Sequence, residues 1–202
     1  GDNAAIANRV TALSAAQPDE ADHYRWIASP DGKPIGTDAI TVGLIYRPAS
    51  VTPEGAASLI ELPVQQAEAQ DASGKPVAIK QGMRESLLQR FSSPKGDAPL
   101  TLVVNHLKSK GSACFEDYPD YATADPLDGQ GHCNALRVSA AKVLGERLKE
   151  VSGDLLLIGD LNAYGMEDPI RVLTDYDPAA QPRQIMSASF TTLAGQPFEE
   201  SG

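Results

Sequence analysis

The sequence has no run of about 18 apolar residues, which excludes a helix that crosses a membrane. No secretory leader is visible at its start. No segment repeats, so a solenoid or propeller is excluded. Basic residues are in deficit: 17 Lys and Arg face 27 Asp and Glu, a net charge of −10. The overall field of such a chain repels polyanions, so phosphate handling would need a local basic patch or a bound cation. Two cysteines, Cys114 and Cys133, are too few for a disulfide scaffold but enough for one bridge. The chain also lacks an initiator Met, opens on GDNAAIANRV and ends on FEESG without a closing element. A processed chain or an excised segment is therefore expected.

What is present suffices for one domain with a sizeable core: 202 residues, of which 42% are hydrophobic. Ile6, Val10 and Leu13 recur at helical spacing over 2–16, with Asp2 as the expected cap. HYRWIAS (23–29) and AITVGLIYR (39–47) read as strands, the second strongly. PASVTPEGAASLIELP, punctuated by prolines, reads as short strands and turns. Residues 66–76 read as a polar loop able to close as a hairpin, and RESLLQRFSS (84–93) and TLVVNH (101–106) as strands. The loop 107–131 is of a length that is usually either functional or disordered. Leu136, Ala140, Leu144 and Leu148 mark a helix over 134–151, with Asn134 as cap and Lys142–Glu146 as an i,i+4 pair. Gly145 inside it costs about 1 kcal/mol and implies close packing. DLLLIGD (154–160) is short and continuously apolar, hence a strand buried on both faces. Asp168 and Pro169 start another helix, and the tail 177–202 is irregular.

The class is α/β, and one deduction orders its parts. TLVVNH, a helix and LLLIGD form a β-α-β crossover, which joins parallel strands. Asn105 and His106 then end on the same sheet edge as Asp160 and Asn162, the carboxyl edge where such sheets bind ligands. Asp160 and Asn162, two apart, could serve a hard cation or position a phosphate and its attacking water, or simply form an Asx turn. His106 could donate to a phosphoryl oxygen, with Lys108 and Lys110 supplying local positive charge. Arg47, at the end of LIYRP, could fork onto phosphate or sit on the surface. Cys114 and Cys133 could be two free buried thiols, or a bridge closing about 20 residues, which would add roughly 3 kcal/mol and imply an oxidising compartment. A zinc site is weakly supported, because only His132 stands nearby. Glu167 and Asp168 could be extra metal ligands, though Asp168 suits a helix cap better. Asn134 and Arg137 could face the site or be a cap and a surface charge. His23 and His132 have no motif around them.

GDLNAYGMEDPI, VVNHLKSKGS, DGQGHCNALRVSAA and VGLIYRP together resemble the endonuclease/exonuclease/phosphatase (DNase I-like) superfamily. They are most like the secreted bacterial extracellular nucleases of the ExeM/NucH type, and more distantly similar to pancreatic deoxyribonuclease. The resemblance spans most of 36–175. It implies a DNase I-like β-sandwich flanked by helices, with a divalent metal (Mg²⁺, or Mn²⁺ or Ca²⁺) at one edge. It implies that Asp160 lies close to metal and orients or deprotonates the attacking water. Asn162 would hold the phosphate, His106 would bind it or assist the leaving group, and Arg47 would contact the nucleic-acid backbone. The Cys114–Cys133 disulfide and an extracellular or periplasmic location follow from the same likeness.

The chain departs from that pattern. The family's opening strand with its Asn, the strand with its metal-binding Glu and the closing Asp-His pair are absent. Residues 1–202 are therefore expected to form a single partial domain, incomplete at both ends, with little or no activity alone. The expected function is metal-dependent phosphodiester hydrolysis, with DNA as partner. The alternatives are a phosphatase or phospholipase of the same superfamily, or a catalytically dead secreted binding module.

Overall fold

A computed structural model describes residues 3–32, 34–36, 40–96, 98–118 and 129–174. Asp2, expected as a cap, the tail 177–202 and part of the loop 107–131 lie outside the described residues. In chain order the elements are α1 (Ala4–Ala15), β1 (Arg25–Trp26), β2 (Ile45–Tyr46), β3 (Thr52–Ile60), β4 (Gln65–Gln70) and β5 (Pro76–Gln81). There follow β6 (Ser86–Ser92), β7 (Leu100–His106), α2 (Asn134–Leu148), β8 (Asp154–Asp160) and α3 (Asp168–Thr174).

The central sheet has the order β3-β6-β7-β8, and the pairs β1–β2 and β4–β5 form separate ribbons. β3, β6 and β7 pair antiparallel, while β7 and β8 pair parallel, as the crossover requires. Side chains alternate across the sheet. Leu88, Val103, Leu155 and Leu157 meet Ala140, Leu144 and Leu148 of α2 and Leu173 of α3 on one face. Leu87, Phe91, Leu102 and Val104 meet Ile27, Ile35, Leu44 and Tyr46 on the other. Each fully buried leucine, such as Leu144, contributes about 1.5–3 kcal/mol. The architecture is thus mixed α/β. Among the described residues the second layer is a loop-rich segment with a two-stranded ribbon, not a full second sheet.

Several local expectations are corrected. Of AITVGLIYR, only Ile45–Tyr46 joins a ladder. Its β-branched residues favour an extended chain, but a strand also needs a neighbouring strand, and only β1 is offered. The proline-punctuated stretch becomes one nine-residue strand, β3. Pro53 is tolerated because β3 is a sheet edge. The register slips between Glu54 and Ser58, where Gly55 adopts φ 69°. Residues 65–81 do close as a hairpin. Asp71 pins its turn by accepting from the Ser73 hydroxyl and from the Ser73 and Lys75 amides. Those bonds, the Ser73 hydroxyl first, hold the Asp71 carboxyl below its usual range. Their contribution is present above the unfolded-state pKa and is lost as pH falls through the folded one.

The crossover half is corrected in five places. β8 is not buried on both faces: among the described residues it is the sheet's other edge, and Leu156 is 44% exposed. The N-cap of α2 is Cys133, in left-handed conformation, and the Asn134 amide instead donates to Asp168 at 3.1 Å. Glu146 pairs with Lys149 at 2.7 Å rather than with Lys142. Asp168 is the first residue of α3 rather than its cap. Gly145 is not closely packed: a Cβ added there meets nothing within 4 Å. Gly145→Ala is therefore predicted to stabilise the protein by about 1 kcal/mol. In thermal denaturation that is a rise of about 2–4 °C for a chain of this size; a fall would show the position to be crowded.

Candidate functional site

The site is built where β7 and β8 end together. Their parallel register sets Asn105 opposite Gly159 and His106 opposite Asp160. Asn105 is buried and fully engaged. Its amide donates to the carbonyls of Val103 and Ile158 at 3.1 Å each, and its oxygen accepts from the buried Ser86 hydroxyl at 2.5 Å. Gly159 makes that approach feasible. It adopts φ 123°, and a Cβ there would lie 2.0 Å from the Asn105 carbonyl oxygen. Only glycine combines this backbone with this proximity.

Beyond the ladder the chains remain bound. The Leu107 N–H donates to the Asp160 carbonyl at 2.9 Å, and the Asn162 amide donates to the Leu107 carbonyl at 3.0 Å. Asn162, with φ 47°, also donates its backbone N–H to Asp160 Oδ1 at 2.8 Å. This is the Asx turn weighed against a chemical role. The two are compatible, because the turn holds one carboxylate oxygen and leaves Oδ2 3.9 Å from His106 Nε2. The Asp160 side chain is 63% exposed and that of His106 22% exposed. A carboxylate beside an imidazole can orient a proton donor, accept a proton from water and hydrogen-bond an anionic oxygen.

The other sequence-derived candidates divide. Lys108 lines the cleft beside His106. Lys110 pairs with Glu167 at 2.6 Å and lies over the Tyr164 ring, so its charge is offset locally. Glu167 also accepts from the Tyr164 N–H, and Asp168 accepts from Gln130 and Asn134, so both acids tie loops together. Arg47 pairs with Asp22 and sits over the Tyr24 ring, on the β1–β2 ribbon rather than in this cluster. Arg137 is not a surface charge. It is fully buried and donates to the carbonyls of Lys108, Gln130 and His132, fixing the loop that leaves β7.

Arg84 and Lys80 were missed from sequence. Both line a cleft of about 710 Å³ that His106 and Lys108 also line. Arg84 donates to the His106 carbonyl at 3.3 Å. Among the described residues the one acid in the lining, Glu85, accepts from the Gly36 N–H at 2.7 Å. An antiparallel β6–β7 pair puts the start of β6 beside the end of β7, so the Arg84 position was readable from topology. Lys80 had no such signal, because it depends on where the hairpin folds back. The cleft is the local basic patch that an acidic chain needs for an anionic ligand.

Cys114 and Cys133 form the disulfide, with Cα atoms 4.9 Å apart. Both their N–H groups donate to Asp117 Oδ2. Cys114, Asp117 and Cys133 are the only group of metal-ligating types gathered among the described residues, and the bridge uses both sulfurs. A hard cation takes about six oxygens, with one or two carboxylates even where water and substrate complete the shell. Asp160 offers one unengaged oxygen, while Glu167 and Asp168 are held by other partners. The described residues therefore do not fit a complete Mg²⁺ site.

Gly159→Ala is predicted to destabilise the protein by about 3 kcal/mol or more, through clash and strain together. Urea unfolding measures this, and a loss below 1 kcal/mol would contradict the close β7–β8 approach. Comparison with protein-family models, curated proteins and solved structures returned no match, so a functional reading rests on this geometry.

Proposed function

We propose that this chain carries the phosphate-binding part of a metal-dependent phosphodiester hydrolase acting on extracellular DNA. The observation that carries the reading is the His106–Asp160 pair, adjacent in register, whose His106 also lines a cationic cleft in a chain of net charge −10. The disulfide is compatible with an oxidising compartment, and no described helix is long and apolar enough to cross a membrane.

In-line attack on a phosphodiester builds negative charge on the phosphoryl and leaving oxygens. His106 donates a hydrogen bond to one of these. Asp160 Oδ2 accepts from the attacking water, in the orientation that the Asx turn gives it. Lys108 and Arg84 hold the anion by charge. Asn162 keeps Asp160 aimed rather than acting alone. A divalent cation would supply further stabilisation, but one carboxylate oxygen does not hold it.

Two measurements test this. The chain should bind duplex DNA in a salt-dependent way and nick supercoiled plasmid slowly or not at all with Mg²⁺ or Mn²⁺. Residual nicking should fall at least about 100-fold in Asp160→Asn and in His106→Ala. Robust metal-dependent nicking abolished by Asp160→Ala would overturn the expectation of low activity while supporting the reaction class. Phosphate release from monoesters outpacing nicking would favour a phosphatase, and absence of DNA binding would remove the proposal.

A further inference from the structure

The β4–β5 hairpin has two faces with different fates. Gln65, Ala69, Ile79 and Gln81 share one by alternation. Ala69 and Ile79 are buried there. Gln81 Nε2 donates to the Ala113 carbonyl at 2.9 Å, the Phe115 N–H donates to Gln65 Oε1 at 2.6 Å, and Gln65 Nε2 donates to Glu116 at 3.1 Å. Phe115 and Glu116 lie in the segment that the disulfide closes, and Ala113 directly precedes its Cys114. The hairpin therefore stands where the disulfide holds it.

Alternation sends the register partners Gln66 and Lys80 to the opposite face. Both are exposed there, and both line the cleft with His106 and Lys108; Gln81, at the end of the hairpin, also borders it. At about 710 Å³ that cleft is much larger than one phosphate needs and falls in the range of nucleotide-sized ligands. Building on the phosphodiesterase reading above, we infer that the hairpin is the outer wall of a nucleic-acid track. Lys80 contacts a phosphate other than the one at His106. The site thereby selects a polymeric phosphodiester over a monoester, and the disulfide is a positioning element for that contact.

The test is fluorescence anisotropy with a labelled duplex oligonucleotide at several salt concentrations. Loss of one phosphate contact lowers the slope of log K against log salt by about one, and weakens binding about fivefold at 0.15 M salt. Lys80→Gln should show both effects, while competition by inorganic phosphate stays unchanged. Lys142→Gln, on the exposed side of α2, should show neither. Reduction of the disulfide should weaken wild-type binding by a similar factor and add nothing in Lys80→Gln. Unchanged affinity and slope in Lys80→Gln would overturn this inference and leave the phosphodiesterase reading standing. Reduction without effect on the wild type would overturn the role given to the disulfide. A wild type that binds no DNA would overturn the earlier reading itself.

Discussion

The backbone contact between Asn105 and Gly159 governs the rest of the structure. Two parallel strands run so close there that only a hydrogen fits at Cα. Asn105 then bridges both strands and the start of β6 through Ser86. A buried amide left without partners would cost about 1–3 kcal/mol; here each end of it is satisfied. The satisfied amide specifies the register, and the register sets His106 beside Asp160. Slippage by one residue would send every side chain of β8 to the wrong face. The arrangement of the candidate site at the edge and the packing of α2 and α3 beneath it therefore depend on the same few atoms.

A second network fixes what surrounds that edge. Arg137 gathers three loop carbonyls into the start of α2, and Asp117 gathers the two cysteine amides. Asp168 joins the beginning of α3 to the same region through Gln130 and Asn134. These are side chains serving backbone groups that a loop cannot satisfy by itself. The segments flanking the cleft are thus built into the crossover, although they lie outside its strands and helices.

The crossover was legible in sequence because its signals agree: a strand with β-branched residues, a helix of period near 3.6 and a short apolar strand. The grouping of His106 with Asp160 followed from topology, because a crossover joins parallel strands that end on one edge. Other features were hidden for physical reasons. Ile45–Tyr46 forms so short a strand because pairing depends on a distant neighbour, which propensity does not report. Gly145 and Gly159 look alike in sequence, yet one faces open space and the other a backbone oxygen. Arg137 reads as a surface charge on the helix, and only the fold of the loop beside it explains its burial. Lys80 enters the cleft through a hairpin whose placement rests on bonds to residues more than 30 positions away.

β8 borders the sheet, and among the described residues no strand pairs with its outer side. Such a border, with Leu156 exposed on it, is a template for strand addition between copies and hence for aggregation. Asp154 and Asp160 stand at its two ends. Approach of a second copy in either direction brings carboxylates together, so the pair acts as a charge gate. Neutralising Asp160 would therefore weaken that repulsion at one end of the border, apart from any effect at the candidate site.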